Sequence, residues 1–465
     1  MASLNGHATK SQKAAERRIE HHEGDVVIVG AGVLGCALAV TLGRQGRSVI
    51  LLEKSLKEPD RIVGELLQPG GVRALEQLGL QDCLDEIDAI QVNGYYVSYF
   101  GEPVSIEYPK ENPSTPAPLG RSFHHGRFVM KLRQAAHDCP NVTIIETQAT
   151  GLVTSSTTQQ VFGVECVTND MKDCYFAQLT VIADGYASKF RKTYHPHTPK
   201  AKSKFWGLEM IDAKLPAPNY VLMYQIGTHE TRVLVDIPEN LPSASVKNGG
   251  VKGHLRNTIL PTLPKEVQPM FEAALDKGQL RSMPNSFLPA SANKTPGLMM
   301  LGDALNMRHP LTGGGMTVAL NDVCFIRDLL SPERVPDLGK TELVLKQLSR
   351  FHWMRKKSST VINILAQALY ALFAANDPNL LALQRGCFRY FQMGYIDGPV
   401  GLLAGLIRQP LVLFNHFFSV AFVSIWVMFT ETPLTQLIMF PIRSIMVFWT
   451  ACVVIFPYIF AEIWS

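Results

Sequence analysis

The chain has 465 residues, which is enough for two or three domains with a full core. Its formal net charge of +4 is small and its basic residues are scattered, so we expect no nucleic-acid partner. Eight cysteines show no C-x-x-C pair and no metal-ligand spacing, which predicts reduced, buried thiols. His124 and His125 are neighbours that would point to opposite faces of a strand, so we expect no metal site.

The first residues give no sign of a packed element. Residues 1–24 are polar and mixed in charge, with no apolar stretch of the kind found in signal peptides. We therefore expect a disordered polar tail there.

Residues 25–53 have the pattern of a nucleotide-binding unit, with an apolar strand, a glycine-rich turn, a helix and a second apolar strand. Gly30, Gly32 and Gly35 complete G-x-G-x-x-G, for a tight turn, close backbone approach to a pyrophosphate and close helix packing, respectively. Glu53 ends the second strand, where such units hydrogen-bond a ribose. The alternative is a glycine-rich turn that packs and binds nothing.

Two later segments favour FAD over NAD(P). Residues 179–185 are an apolar strand that ends in Asp184–Gly185, and residues 298–316 are another strand that ends in Gly302–Asp303 and a glycine-rich turn. The helix predicted after that turn would offer free N–H groups and its positive dipole end to an anion or an electron-rich ring. These elements exceed what an NAD domain needs.

Two apolar runs near the C-terminal end, 411–429 and 444–460, predict a membrane-associated helical hairpin. The alternative is a buried helical pair in a soluble core. Basic residues that precede the hairpin suit either contact with anionic headgroups or a solvated helix face. These are Lys346, Arg350, Arg355, Lys356 and Lys357.

Several long strings resemble the squalene epoxidase (squalene monooxygenase) family, of the FAD-dependent hydroxybenzoate-hydroxylase-like monooxygenase class. The resemblance covers nearly the whole chain from Asp25 onward and is of the fungal type, because no long hydrophobic N-terminal extension is present. It is carried by GELLQPGGVRALEQLGL at 64–80, NGYYV at 93–97, GRSFHHGRF at 120–128, ADGYASKFRK at 183–192, TRVLVDIP at 231–238, RSMPNSFLP at 281–289, LGDALNMRHPLTGGGMTVA at 301–319, NILAQALYALF at 363–373 and GPVGLLAGL at 398–406.

The resemblance implies an α/β fold with a Rossmann-like FAD-binding domain, a β-sheet substrate domain and a C-terminal hydrophobic helical region that anchors the protein to a membrane. We expect a discontinuous FAD-binding domain from 25–90, 120–195 and 296–340. Segments rich in β-branched and aromatic residues, 91–119 and 200–290, are expected to form the substrate domain that covers the flavin. Residues 341–465 are expected to be helical.

The resemblance also implies the site residues. Tyr95 and Gln68 are expected to meet near the flavin as the catalytic pair, with a structural hydrogen bond between two loops as the alternative role. The cofactor-binding residues expected beside Gly30, Gly32 and Gly35 are Val33, Leu34, Glu53, Arg61, Leu66, Arg133, Ala149, Asp303 and Met316. The residues expected to line an apolar substrate tunnel are Phe205, Leu215, Pro310, Phe373, Phe388, Phe391, Pro399, Leu402 and His416.

The function implied is FAD-dependent epoxidation of squalene to (S)-2,3-epoxysqualene with O2, in sterol (ergosterol) biosynthesis. Electrons would come from NADPH through NADPH–cytochrome P450 reductase, at the cytosolic face of the endoplasmic reticulum membrane and on lipid droplets. The alternatives are an FAD-dependent prenyl-chain reductase of the same fold and a flavin-containing membrane scaffold without turnover.

Overall fold

The computed structural model describes residues 10–99, 102–110, 112–211, 221–375 and 377–464. The strands in chain order are β1 (Glu23–Val29), β2 (Val49–Glu53), β3 (Leu66–Leu67), β4 (Ile90–Val92), β5 (Gly94–Tyr99), β6 (Glu102–Glu107), β7 (Gly120–Ser122), β8 (Val142–Glu146), β9 (Gln148–Thr154), β10 (Val161–Thr168), β11 (Met171–Ile182), β12 (Lys200–Ile211), β13 (Val221–Gln225), β14 (Glu230–Pro238), β15 (Arg281–Phe287) and β16 (Leu298–Met300). The α-helices are α1 (Lys10–Glu20), α2 (Val33–Arg44), α3 (Pro69–Gln77), α4 (His125–His137), α5 (Arg191–Tyr194), α6 (Gly250–His254), α7 (Gln268–Asp276), α8 (Gly315–Leu329), α9 (Thr341–Phe373), α10 (Pro378–Gln392), α11 (Asp397–Leu403), α12 (Pro410–Glu431) and α13 (Phe440–Trp464).

The main sheet has a parallel centre that is buried on both faces. Its strand order is β8-β2-β1-β11-β10-β9, and β16 pairs in parallel with the C-terminal part of β11. Val26, Val27 and Ile28 point alternately to the two faces of the sheet and are all fully buried, and α2 packs against β1 and β2. Burial on both faces is why these strands read as continuous apolar runs. The predicted strand–helix–strand unit at 25–53 and the α/β class are confirmed.

A second, antiparallel sheet has the order β13-β14-β12-β15. Along β14 the side chains alternate between two environments, as the period of a strand requires. Val233 and Val235 pack against Phe271 of α7, whereas Leu234 packs on the other face against Phe205. That other face looks toward the main sheet, so the second sheet covers a space above it. The division of the chain into domains that we inferred from the sequence stays a prediction.

A buried ion pair joins the covering sheet to the segment before β3, a strand that belongs to a small third sheet with the order β3-β7-β4. The Arg232 guanidinium on β14 donates to both carboxylate oxygens of Glu65, from Nη2 at 2.8 Å and from Nε at 3.0 Å. Tyr224 Oη on β13 donates to the same carboxylate at 3.0 Å. Glu65 immediately precedes β3, so this contact fixes the covering sheet over the segment that leads into α3.

The N-terminal segment differs from the predicted disordered tail. Residues 1–9 lie outside the described residues, but Lys10–Glu20 is a helix and β1 begins at Glu23. The helix is polar in composition, but Arg18 in it is almost fully buried and fixes the helix to the main sheet. Its guanidinium donates to Thr143 Oγ1 at 2.8 Å, to Ser48 Oγ at 3.1 Å and to the carbonyl of Pro140 at 2.9 Å.

The C-terminal helices include, among the described residues, two that are long and apolar enough to cross a membrane, at Pro410–Glu431 and Leu434–Trp464. Side chains such as Trp426, Ile445 and Trp449 are about half or more exposed, as a lipid-facing surface would require. This pattern fits the predicted membrane association.

Part of the predicted basic surface before the hairpin is wrong. Arg355 is buried and its Nε donates to the Asp322 carboxylate at 2.8 Å, and the ammonium of buried Lys356 donates to the carbonyl of Glu462. Each finds polar partners inside the protein, so neither can contact headgroups. Lys346, Arg350 and Lys357 are exposed, as predicted.

Helix α12 packs tightly on α10 as well as facing outward. A Cβ atom placed on Gly386 of α10 would lie 1.9 Å from Ser424 Oγ and 2.6 Å from Ser424 Cβ on α12. Such distances are far inside van der Waals contact, so the two helix axes can approach this closely because position 386 has no side chain.

We predict that Gly386→Ala forces α10 and α12 apart and lowers stability by about 1–3 kcal/mol, the usual cost of overpacking. Thermal unfolding of detergent-solubilised protein measures the loss. The compensating double variant Gly386→Ala/Ser424→Gly removes two of the three closest atoms and should recover part of it. A double variant no more stable than Gly386→Ala would contradict this account.

Candidate cofactor and substrate site

A large cavity lies between the main sheet, the covering sheet and the C-terminal helices. Its volume is about 2130 Å3. Typical ligand pockets have roughly 300–1,000 Å3, so this cavity has room for a dinucleotide together with a second long molecule. Of the predicted cofactor residues, the described lining contains Gly30, Gly32, Val33, Leu34, Glu53, Arg61, Leu66, Arg133, Ala149, Asp303 and Met316. Of the predicted substrate residues it contains Phe205, Pro310, Phe373, Phe388 and Phe391.

The β1–α2 turn has the geometry that its three glycines predict. Gly30 has a φ of +106°, which disfavours any residue with a Cβ. A Cβ on Gly35 would lie 1.8 Å from the carbonyl oxygen of Gly30, so this glycine lets α2 pack on the turn and lies behind the lining. A Cβ on Gly32 would meet nothing within 4 Å, because Gly32 borders the open cavity.

Glu53 is held at the cavity edge by the backbone of the same turn. Its Oε2 accepts from the Ala31 N–H at 2.7 Å. Arg133 donates to the Ala31 carbonyl at 2.9 Å, and its Nη2 lies 3.7 Å from Glu53 Oε2. Arg133 therefore balances the charge of Glu53 at the cavity edge, and its predicted role in cofactor binding stays a prediction.

A second helix N-terminus opens into the same cavity. Helix α8 begins at Gly315, and its N-cap Gly314 makes no side-chain capping bond. A Cβ on Gly315 would meet nothing within 4 Å. The first N–H groups of α2 and α8 thus lack helical partners and border one cavity, an arrangement that suits a ligand with a negative group near each helix.

The carboxamide of Gln68 is fully buried and joins three segments of the site. Its Nε2 donates to Tyr95 Oη at 2.6 Å and to the carbonyl of Thr312 at 2.8 Å. Its Oε1 accepts from Tyr108 Oη at 2.7 Å. Gln68 and Tyr95 therefore meet as the sequence predicts, at the turn that precedes α8. Gln68 lies behind the lining and Tyr95 forms part of it.

Both phenols in this network stay protonated. Burial raises the pKa of Tyr95 to about 12, against a smaller lowering by its hydrogen bonds to Tyr108 and Gln68. Burial also raises the pKa of Tyr108, and the neighbouring Tyr95 adds to the rise. The network is consequently neutral at physiological pH and can border an apolar compartment without the cost of a buried charge.

The apolar end of the cavity is formed by the C-terminal helices. Phe373 ends α9, and Phe388 and Phe391 share one face of α10 near Tyr95. Three predicted lining residues lie outside the described lining. Leu402 packs against Val361 in a separate cluster, Pro399 is buried beside it on α11, and His416 hydrogen-bonds to Tyr390 at 2.7 Å. They belong to helix faces turned away from the cavity, whose α11 lining comes from Val400 and Leu403. The predicted Leu215 lies outside the described residues.

Three residues of the site, Tyr108, Glu65 and Arg232, were not predicted from the sequence. Tyr108 fixes the Gln68 carbonyl, and the Glu65–Arg232 pair lines or supports the cavity wall. Glu65 lies in the same segment as Gln68, GELLQPGG, and its carboxylate among apolar residues was a sign that it has a buried partner. Its partner is 167 positions away, so no local pattern reveals the pair. Burial raises the pKa of the Glu65 carboxyl, and the bonds from Arg232 oppose that rise.

The imidazole of His125 contacts the protein backbone. His125 Nδ1 lies 2.8 Å from the carbonyl of Gly64, and burial lowers the pKa of His125 to about 4. No group of three or more His, Cys, Asp or Glu side chains able to hold a metal occurs in the described part of the chain.

Solved structures with this architecture define the class of fold. A probable FAD-dependent monooxygenase from Pseudomonas aeruginosa, pqsL, superposes with a TM-score of 0.63 at 21% identity, over 75% of this chain and 95% of its own. The flavin-dependent brominase Bmp2 superposes with a TM-score of 0.65 at 16% identity, over 85% of this chain and 98% of its own. The fold is that of the FAD-dependent monooxygenases.

Sequence comparison identifies the family within that class. The family model for squalene epoxidase matches residues 176–441. The squalene epoxidase of Aspergillus fumigatus is 69% identical over 99% of this chain and 98% of its own. The squalene monooxygenase of Mus musculus is 44% identical over 94% of this chain and 78% of its own. The chain belongs to the squalene epoxidase family.

We predict that Gly32→Val weakens FAD binding at least tenfold, because the new side chain occupies the space where a pyrophosphate would approach the α2 N-terminus. Flavin content after purification and FAD titration of the apoprotein measure the effect. The apoprotein's melting temperature should stay near that of the wild type, since the Cβ meets nothing within 4 Å. The matched variant Gly35→Ala should instead destabilise the apoprotein itself. Full flavin occupancy in Gly32→Val would overturn the placement of the phosphate turn.

Proposed function

We propose that this protein is a squalene epoxidase that converts squalene to (S)-2,3-epoxysqualene with FAD and O2. The observation that carries the proposal is one continuous cavity that has two helix N-termini at its polar side and aromatic side chains at its apolar end. The Aspergillus fumigatus relative, which is 69% identical, is a squalene epoxidase, and this supports the same substrate and reaction. The product enters sterol (ergosterol) biosynthesis.

The residues of the polar side fit FAD in an extended conformation. Gly30, Gly32 and the first N–H groups of α2 would receive the pyrophosphate, and Glu53 would accept from the ribose hydroxyls. Asp303 would bind the other half of the cofactor, near the N-terminus of α8. Arg61, Leu66, Ala149 and Met316 would complete the contact surface. Bound FAD supplies the activation of dioxygen and the transfer of one oxygen atom.

The network of Gln68 and Tyr95 would position the reaction. Squalene has no polar group, so its placement depends on the shape of the apolar wall made by Phe373, Phe388 and Phe391. A neutral phenol and amide can hydrogen-bond at the boundary between cofactor and substrate without introducing charge. The same wall excludes water from the reacting atoms.

The electron donor and the location in the cell are further parts of the proposal. We propose that electrons pass from NADPH through NADPH–cytochrome P450 reductase. We place the protein at the cytosolic face of the endoplasmic reticulum membrane and on lipid droplets. The exposed aromatic and aliphatic side chains of α12 and α13 support membrane association.

We predict that Tyr95→Phe lowers kcat and leaves FAD content unchanged, because it removes the hydroxyl that accepts from Gln68 Nε2 and retains the ring. A drop of about 5–100-fold would match the roughly 1–3 kcal/mol cost of leaving the buried Gln68 N–H without its acceptor. Steady-state kinetics on squalene with the reductase measure it. The control is Tyr175→Phe, which lies outside the described lining and should keep wild-type kinetics. A change in KM alone would assign Tyr95 to substrate packing.

We also predict that the oxygen atom of the product comes from O2. Reaction under heavy-isotope oxygen gas should add one labelled atom to squalene, measured by mass spectrometry, and reaction in labelled water under ordinary O2 should add none. A product two hydrogens heavier, formed equally well without oxygen, would instead establish an FAD-dependent prenyl-chain reductase of the same fold.

A further inference from the structure

Arg308 is a buried cation at the cavity wall whose hydrogen-bond acceptors are all neutral. Its Nη2 donates to the carbonyl of Asn306 at 3.1 Å and to Asn306 Oδ1 at 2.6 Å, and Nη1 makes a long contact of 3.5 Å with the carbonyl of Gly315. Its Nε has no partner in the described part of the chain. Nearby Arg355, by contrast, is paired with the Asp322 carboxylate at 2.8 Å.

The charges around Arg308 leave its own charge without direct neutralisation. Burial lowers the pKa of Arg308 to about 10, and the Arg355 guanidinium adds to the lowering. Asp303, Asp322 and Glu462 act in the opposite direction, but none of the described carboxylates lies within 4.0 Å of the Arg308 nitrogens. Arg308 therefore remains charged at neutral pH, and a buried charge without an ionic partner is costly.

Arg308 also lies next to the N-terminus of α8. Gly315, whose carbonyl it contacts, is the first residue of that helix. Both residues belong to the cavity lining, on the same side as Gly313 and Met316. The guanidinium thus adds a full positive charge to the partial positive charge of the helix end. An anion in this part of the cavity would be stabilised by both.

We propose that Arg308 tunes the cofactor by stabilising FAD in its reduced, anionic form. This inference rests on the FAD-dependent function proposed above. Uptake of two electrons from the reductase and one proton from solvent gives a reduced ring with one negative charge. The reduced ring would supply the negative charge that the neutral hydrogen-bond partners of Arg308 lack, and Arg308 would stabilise the charge of the ring in return. Reduced FAD is consequently bound more tightly than oxidised FAD, and the midpoint potential rises.

The test compares midpoint potentials of purified holoproteins. Arg308→Gln should decrease the preference for reduced over oxidised FAD at least tenfold, which is a shift of about −30 mV for a two-electron couple. Arg308→Lys keeps the charge and should retain most of the preference. The matched control is Arg47→Gln, since Arg47 is equally buried, donates to the carbonyls of Leu330 and Pro336, and lies outside the described lining. Its potential should not move.

A second measurement needs no variant. At mildly acidic pH, the potential of the wild-type holoprotein should change by about 30 mV per pH unit, as expected for one proton per two electrons. Free FAD measured in the same cell should change more steeply wherever its reduced ring takes up the second proton. A wild-type slope equal to that of free FAD in that range would overturn the inference, whether or not Arg308→Gln folds.

The remaining outcomes are equally decisive. An unchanged potential in Arg308→Gln, or a shift in Arg308→Lys as large as in Arg308→Gln, would overturn a role for the charge. If both proteins bind FAD and Arg308→Gln has the midpoint potential of the wild type, this inference is overturned and the proposed function is not. A wild-type protein that binds no FAD would overturn the proposed cofactor, and this inference with it.

Discussion

The site depends on the three hydrogen bonds made by one buried carboxamide. Gln68 has two N–H donors and one carbonyl, and each finds a partner from a different segment: β5, the strand end at Tyr108, and the turn before α8. Because a buried amide with an unmet donor or acceptor costs about 1–3 kcal/mol, these bonds fix the three segments relative to one another. The boundary between the cofactor side and the apolar side of the cavity lies at this point.

The cavity has a polar part and an apolar part along its length. Its charged side chains either have ionic partners or face the part where the cofactor is proposed to bind. Glu53 is balanced by Arg133, and Glu65 is balanced by Arg232. The aromatic wall on α10 carries no charge, as a hydrocarbon substrate demands. The covering sheet and the C-terminal helices therefore complete the site, although neither belongs to the nucleotide-binding unit.

The sequence predicted those parts of the fold and the site whose signals are local. The strand–turn–helix unit at 25–53 was predictable because each glycine has a distinct steric role, which the structure shows at Gly30, Gly32 and Gly35. The contact between Tyr95 and Gln68 could be predicted only from the resemblance to the family. Long-range pairs such as Glu65 with Arg232, and buried cations such as Arg18 and Arg355, were not predictable because nothing in a single sequence states which distant group compensates a charge.

The close contact of Gly386 with Ser424 has a consequence for making a soluble form of the enzyme. Helix α10 presents Phe388 and Phe391 to the cavity and packs Leu383 and Cys387 against Ala421 of α12. Removing the apolar hairpin would thus expose the face of α10 opposite the one that lines the cavity. A water-soluble variant therefore requires polar residues on that face of α10, since truncation alone would leave an exposed apolar surface that promotes aggregation.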